Sequence, residues 1–203
     1  MKQDERSRIR RVDAVVIGTS AGGVDALGLL FAELPAQWHL PLVVVLHLPE
    51  EHESRLPEIF RQRLPFAVRE AQDKAPVAPA CLYFAPPGYH LSIERSRCFS
   101  LSCEPPVLFS RPSIDVLMSS AADAYGPSLA GLLLTGANED GAQGLHDIHR
   151  AGGLSAVQDP AEAQVPTMPQ AAIDRHTPDF VRPLRELRAL LLQLDAVYRH
   201  HAP

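Results

Sequence analysis

At 203 residues the chain has room for one well-buried domain and little more. Its composition, 46% hydrophobic and 21% charged, is that of an ordinary globular protein and sets aside disordered and membrane-embedded classes. A formal charge of -5 offers no basic face for phosphates, so no nucleic acid is expected, and with no apolar run long enough for a membrane span and a charged, not signal-like, Met1 to Arg11, the expected location is the cytoplasm without membrane insertion.

Val12 to Ile17 is a β-branched run of the kind buried on both faces of a parallel sheet. Gly18-Thr19-Ser20-Ala21-Gly22 follows and fits G-x-S-x-G, in which small neighbours let the chain turn sharply and expose the serine hydroxyl. Val24, Leu27 and Leu30 or Phe31 then recur at helical spacing, which puts Ser20 near a helix N-terminus whose free N–H groups can face an oxyanion. The pentapeptide alone occurs by chance in many chains and does not by itself establish catalysis. A dinucleotide fingerprint is disfavoured, because Ser20 stands where the second glycine of G-x-G-x-x-G is needed. A phosphate-binding P-loop fails for want of Gly-Lys-Ser or Gly-Lys-Thr.

Leu42 to Leu46 is a second strand that stops at His47-Leu48-Pro49. Strand, helix and strand make a βαβ unit with parallel strands, so Ser20 and His47 should share one sheet edge. Glu50 to Arg63 reads as a helix with Leu56, Ile59, Phe60 and Leu64 on one stripe. Ala67 to Glu70 and Cys81 to Ala85 read as strands, and His90 to Ile93 with Cys98 to Leu101 as an antiparallel hairpin. Ser113 caps a helix that carries Asp115 in its first turn and ends before Gly126-Pro127. Leu129 to Leu134 is a further central strand and runs into a second glycine-rich turn, Thr135 to Gly141. A helix over Ala142 to Arg150, a strand at Leu154 to Val157, a brief helix around Pro169 to Ile173 and a last helix from Leu184 to Tyr198 complete the pattern.

Strands alternating with helices predict an α/β fold: a doubly wound, mostly parallel sheet with helices on both faces and a small antiparallel hairpin near one edge. The expected division is a charged N-terminal tail over 1–11, one catalytic domain over 12–198 and a C-terminal tail over 199–203. Cys81, Cys98 and Cys103 are odd in number without C-x-x-C spacing, which predicts buried free thiols. His146 and His149 share a helix face with no third ligand evident nearby, so neither a metal nor a cofactor is expected.

Ser20, His47 and Asp140 all follow strands, where ligands collect in such sheets. A serine becomes a nucleophile when an imidazole takes its proton, and the imidazole needs a carboxylate to fix its tautomer. Each residue also has a plain structural reading: His47 as a satisfied strand-end histidine, Asp140 as a helix-capping carboxylate. Their chain order differs from the Ser, Asp, His order of α/β-hydrolases, which argues against that superfamily.

Taken together, Val16-Ile17-Gly18-Thr19-Ser20-Ala21-Gly22-Gly23, His47-Leu48-Pro49, Tyr83-Phe84-Ala85-Pro86, Arg111-Pro112-Ser113-Ile114-Asp115 and Leu134 through Gly141 resemble, in order, the motifs of the catalytic domain of the CheB chemotaxis protein-glutamate methylesterases. The resemblance runs from about Val12 to Ile173. It implies hydrolysis of γ-glutamyl methyl esters in the cytoplasmic region of bacterial chemoreceptors, with release of methanol, and in many members deamidation of receptor glutamines. It further implies Ser20 as nucleophile, His47 as general base and acid, Asp140 as orienter, and a CheR methyltransferase as functional partner. Oxyanion contacts then fall to the backbone N–H groups of Ala21 and Ala137. Ala21 replaces a common threonine, and Ala137-Asn138 replaces a common Met-Gly, with Asn138 expected to tolerate a left-handed backbone. Arg111, beside a helix N-terminus, is a candidate to grip an acidic substrate group. Typical members carry an N-terminal receiver domain, for which the segment before Val12 is too short, so the expectation is either a stand-alone esterase or one module of a larger protein, with an uncovered site. A non-catalytic module of the same fold and a small-molecule esterase are the competing readings.

Overall fold

The computed structural model describes residues 9–47 and 55–200. Its elements are β1 (Ala14–Thr19), α1 (Gly23–Leu30), β2 (Leu42–Leu46), α2 (Leu56–Arg61), β3 (Ala67–Glu70), β4 (Cys81–Phe84), β5 (His90–Ile93), β6 (Phe99–Ser102), α3 (Ile114–Tyr125), β7 (Leu129–Leu133), α4 (Ala142–Arg150), β8 (Leu154–Gln158), α5 (Thr167–Arg175), β9 (Phe180–Arg182) and α6 (Leu184–His200). Seven strands form one sheet in the order β3-β4-β2-β1-β7-β8-β9, and every pairing in it is parallel. Strands β5 and β6 pair separately as the antiparallel hairpin.

The apolar runs are continuous because both sheet faces are covered. Along β1 and β2, Val15, Ile17, Leu42, Val44 and Leu46 point into a layer closed by α1, α2 and α6, through Leu27, Leu30, Phe60, Leu187, Leu191 and Leu194. The alternate residues Ala14, Val16, Val43 and Val45 enter the opposite layer, closed by α3, α4, α5 and the hairpin through Leu91, Phe99, Leu117, Met118, Leu145 and Met168. Truncating one such buried leucine to alanine costs about 2–5 kcal/mol.

The chain winds leftward from β1 through β2 to β4, then returns to place β7 on the other side of β1. The crevice at such a reversal, outside the carboxyl ends of the strands, is where open α/β sheets bind ligands. Ser20, His47 and the turn carrying Asp140 follow β1, β2 and β7, the three adjacent strands at that point.

Several expectations are corrected. The first strand begins at Ala14, because the N–H of Asp13 bonds to Ser128 outside the ladder. Strand β9 has no signature in the sequence pattern; three residues are too few to show a period, and its register with β8 alone defines it. The last helix continues to His200, beyond Tyr198. Of the helix expected from Glu50, residues up to 54 lie outside those described, and the described part is Leu56–Arg61. The three thiols are free, but only Cys81 is buried; Cys98 is partly buried and Cys103 exposed. The expected motif residues Leu48 and Pro49 also lie outside the described residues.

Candidate active site

The turn after β1 is held by its backbone. The N–H of Ser20 donates to the carbonyl of Thr135 at 3.0 Å, and that of Gly23 returns to the carbonyl of Ser20 at 2.8 Å. The left-handed position is Gly22, with φ 78°, so the serine itself carries no positive-φ strain. The absence of a Cβ at Gly22 is what permits this bend. Thr135 ties the two glycine-rich turns together. Its carbonyl also accepts from the Thr19 hydroxyl at 2.8 Å, its N–H donates to Gln158 Oε1 at 2.8 Å, and its own hydroxyl donates to the Ala21 carbonyl at 2.9 Å.

Parallel pairing sets Thr19 opposite Leu46, so Ser20 and His47 are the next residues out on adjacent strands. The His47 N–H continues the ladder to the Thr19 carbonyl at 3.2 Å. Its ring meets Asp140, with Nε2 2.8 Å from Oδ2. Side-chain exposure is 12% for His47 and 0% for Asp140, so the pair is shielded on the carboxylate side and open on the other. A carboxylate only accepts, so Nε2 carries the hydrogen and Nδ1 is left as the basic nitrogen.

Asp140 has every lone-pair direction filled. Oδ2 accepts from His47 and from the Ile114 N–H at 2.7 Å; Oδ1 accepts from the Ser113 hydroxyl at 2.9 Å and the Asp115 N–H at 3.0 Å. The carboxylate therefore sits on the N-terminus of α3, where the helix field favours negative charge. Burial pushes its pKa up, but the His47 hydrogen bond, the Asp115 and Ile114 N–H groups and the His47 charge outweigh burial and hold it below the ordinary aspartate value. The plain helix-cap reading of Asp140 is thus half right: it caps α3 instead of the helix that follows it. The left-handed residue of its turn is Gly141, with φ 96°, and not Asn138; a Cβ on Gly141 would come within 2.6 Å of Ile114 Cγ2.

Behind this pair lies a second, partly buried carboxylate that the sequence marked only as a first-turn residue of a helix. Asp115 Oδ1 accepts from the N–H groups of Gly141 at 2.9 Å and Gly144 at 2.7 Å, on the N-terminus of α4. Desolvation, with the nearby Asp140 charge adding to it, raises its pKa to about 6 despite those two hydrogen bonds.

The structure does not join the Ser20 hydroxyl to His47. Among the described residues Nδ1 faces the hydroxyl of Ser110 instead, at 3.4 Å. Catalytic hydrogen bonds are often long or unmade in unliganded enzymes. Ala21, in the serine turn, and Ala137, in the second glycine-rich turn, are both exposed, and among the described residues no acceptor takes their N–H groups. Arg111 Nη1 donates to the carbonyls of Cys103 at 3.3 Å and Glu104 at 3.2 Å, which fixes the loop before α3. His146 and His149 lie against a third imidazole, His176, with ring centroids 5.4 and 5.1 Å away. Among the described residues no group of His, Cys, Asp or Glu is arranged to hold a metal ion, and no helix is long and apolar enough to cross a membrane.

A parallel α/β sheet with a serine turn, an imidazole and a buried carboxylate at its topological switch point defines the class of doubly wound proteins with a hydrolase-type edge site. The comparisons narrow the class. Residues 15–191 match the profile of the CheB methylesterase family. A Leptospira interrogans protein, provisionally named protein-glutamate methylesterase/protein-glutamine glutaminase, is 42% identical over 183 residues, 90% of this chain and 95% of its own. Protein-glutamate methylesterase/protein-glutamine glutaminase 1 of Anaeromyxobacter dehalogenans is 36% identical over 187 residues, 91% of this chain but 53% of its own length. The crystal structure of the Thermotoga maritima CheB methylesterase catalytic domain superposes with a TM-score of 0.86 at 29% identity, over 91% of this chain and 100% of that one. The chain belongs to the CheB methylesterase family.

Proposed function

We propose that this protein is a protein-glutamate methylesterase acting on methylated bacterial chemoreceptors, with Ser20, His47 and Asp140 as its catalytic residues. The observation that carries the reading is the 2.8 Å His47–Asp140 pair, with His47 directly after β2 as Ser20 is directly after the adjacent β1.

In this mechanism the Ser20 hydroxyl passes its proton to Nδ1 of His47 as Oγ attacks the γ-carbonyl of the esterified glutamate. Asp140, already ionised and fully hydrogen-bonded, stabilises the imidazolium through Nε2–H without taking the proton. The N–H groups of Ala21 and Ala137 receive the oxyanion. Collapse of the tetrahedral intermediate breaks the bond to the methoxy oxygen, which takes the proton from Nδ1 and leaves as methanol. Water then attacks the acyl-enzyme, giving one proton to Nδ1 and returning it to Ser20 Oγ, so that glutamate and free serine are regenerated. The same sequence with an amide expels ammonia, which accounts for a glutaminase activity. No step calls for a cofactor. Ser113 and Asp115 act as positioning residues, since both bond directly to Asp140. The natural setting in this reading is the bacterial cytoplasm, opposite a CheR methyltransferase that supplies the ester, and Arg111 assists in holding acidic receptor side chains.

The test is release of methanol from a receptor fragment carrying labelled methyl esters, run beside hydrolysis of a small soluble ester. Turnover of the receptor at a kcat/KM well above that of the small ester is expected. A preference for the small ester would instead support the small-molecule esterase reading, and no turnover of either would support a non-catalytic module.

A further inference from the structure

Beside the catalytic histidine stands a feature that packing does not explain. Val107 and Ser110 exchange two backbone hydrogen bonds, Val107 N–H to Ser110 carbonyl at 3.1 Å and the reverse at 2.8 Å, closing a two-residue hairpin. Its tip residues, Leu108 and Phe109, have φ of 46° and 63°. Two-residue turns of this left-handed kind favour Asn and Gly, and a bulky side chain with positive φ is an outlier. Yet the tip carries leucine and phenylalanine, and Phe109 is fully exposed, while Val107 and Leu108 are exposed in part. Strained backbone persists where the surroundings hold it, and it collects at ligand-contacting sites.

The surroundings hold it here. The Ser110 hydroxyl at the stem reaches Nδ1 of His47, Arg111 fastens the preceding strand of the loop through the carbonyls of Cys103 and Glu104, and His90 Nε2 donates to the Pro105 carbonyl at 3.1 Å. The base of the hairpin is thus part of the active-site wall, and its apolar tip projects from the rim of that site into solvent. Burying a phenylalanine contributes a large share of interface energy, whereas an exposed one contributes nothing to folding.

The geometry points to Phe109 as a substrate-docking residue: the hairpin tip inserts among apolar side chains that flank the esterified glutamate on the receptor. The occupant is the protein substrate itself, because the tip is continuous with the catalytic edge through Ser110. This rests on the methylesterase reading for the identity of the substrate. Small esters lack any surface that extends from the catalytic serine to the tip, so Phe109 distinguishes protein from small-molecule substrates.

The test measures binding, so it does not require turnover. In a Ser20→Ala background, the affinity for a methylated receptor fragment is compared for Phe109, Phe109→Asn and Phe109→Trp. Asparagine suits the positive φ and removes the apolar ring; tryptophan keeps an apolar ring. Phe109→Asn should weaken binding by about tenfold or more, the loss expected of an aromatic anchor, with Tm unchanged or raised, while Phe109→Trp binds like the parent. In otherwise wild-type enzyme, kcat/KM for a small neutral ester should be unchanged by Phe109→Asn. Equal receptor affinity for all three proteins, no receptor binding by the parent, or loss of a self-associated form on Phe109→Asn with receptor affinity intact would each overturn the docking role. Absence of turnover in the wild type together with Phe109-dependent binding would overturn the esterase reading and leave the docking surface standing.

Discussion

Asp115 and Asp140 cap each other's helices: the Asp140 carboxylate accepts the N–H of Asp115 at the start of α3, and the Asp115 carboxylate accepts the N–H of Gly141, the residue after Asp140, at the start of α4. A buried and a partly buried carboxylate are thereby kept close to one another, and only the buried Asp140 touches the imidazole. Their environments push them apart. The histidine bond and converging donors hold Asp140 low, while desolvation raises Asp115 to about 6. This separation assigns the permanent negative charge to Asp140, the partner of His47.

The Asp115 shift makes a stability prediction with a definite sign. Its native pKa lies above the unfolded value of 3.8, so the native state holds a proton that the unfolded chain has released. Stability from this group is fully present below the unfolded pKa and is lost as pH rises through about 6. Asp115→Asn keeps an acceptor for Gly141 and Gly144 and removes the titration. Denaturant unfolding of the variant relative to wild type should therefore improve between pH 4 and pH 7, by at most about 3 kcal/mol. A difference that is constant across this range would show that the carboxyl does not titrate there.

Asp140→Asn should affect catalysis and stability together. Four donors converge on the carboxylate, and an amide places its own NH₂ toward at least one of them. The predicted loss in kcat is about 10⁴-fold, the size known for the corresponding change in a serine protease, accompanied by roughly 1–3 kcal/mol of destabilisation. Near-normal turnover in the folded variant would remove Asp140 from the mechanism.

His176 supplies an acid-stability prediction away from Ser20, His47 and Asp140. Desolvation first, and then the charges of His149 and His146, lower its pKa to about 4. The unfolded chain, at 6.5, binds the proton more readily than the native state, so acidification from about 6.5 toward 4 destabilises the fold. His176→Phe keeps a ring of similar shape in the cluster and should make Tm less sensitive to pH over that interval. An unchanged slope of Tm against pH would contradict the assignment.

Arg111 holds the loop carbonyls of Cys103 and Glu104, so its effect should exceed that of a surface charge. Arg111→Ala is expected to raise KM for receptor more than for a small neutral ester, because the loop it fastens carries Phe109 and Ser110. Equal changes for both substrates would limit Arg111 to holding the active-site wall.

Much of the fold is legible in the chain because buried parallel strands write themselves as unbroken apolar, β-branched runs, as Leu42 to Leu46 does, while the helix Ala142 to Arg150 follows its own period and the exposed edge strand Ala67 to Glu70 shows little more than Val68. Ser20, His47 and Asp140 stand out as candidates because each follows a strand on one edge of the sheet. What escaped is non-local or too short. β9 has three residues, and the partnership of Asp115 with Gly141 spans a helix and a strand. Ser110 faces His47 only because the loop folds back over the strand edge. The hairpin did leave a trace: Val107-Leu108-Phe109 is an apolar triplet after Pro105-Pro106 in a segment with no strand period. Its turn lacks Asn or Gly, so its sequence did not announce it.

In the proposed mechanism the His47–Asp140 pair activates Ser20, and the unmade Ser20 bond beside a made Ser110 contact sets two hydroxyls in competition for Nδ1. Labelling with a fluorophosphonate, followed by mapping of the modified residue by mass spectrometry, decides between them, because only an activated serine reacts at a useful rate. Stoichiometric labelling of Ser20, abolished by His47→Ala and unaffected by Ser110→Ala, is the predicted result. An adduct on Ser110, or none on either serine in folded protein, would contradict it.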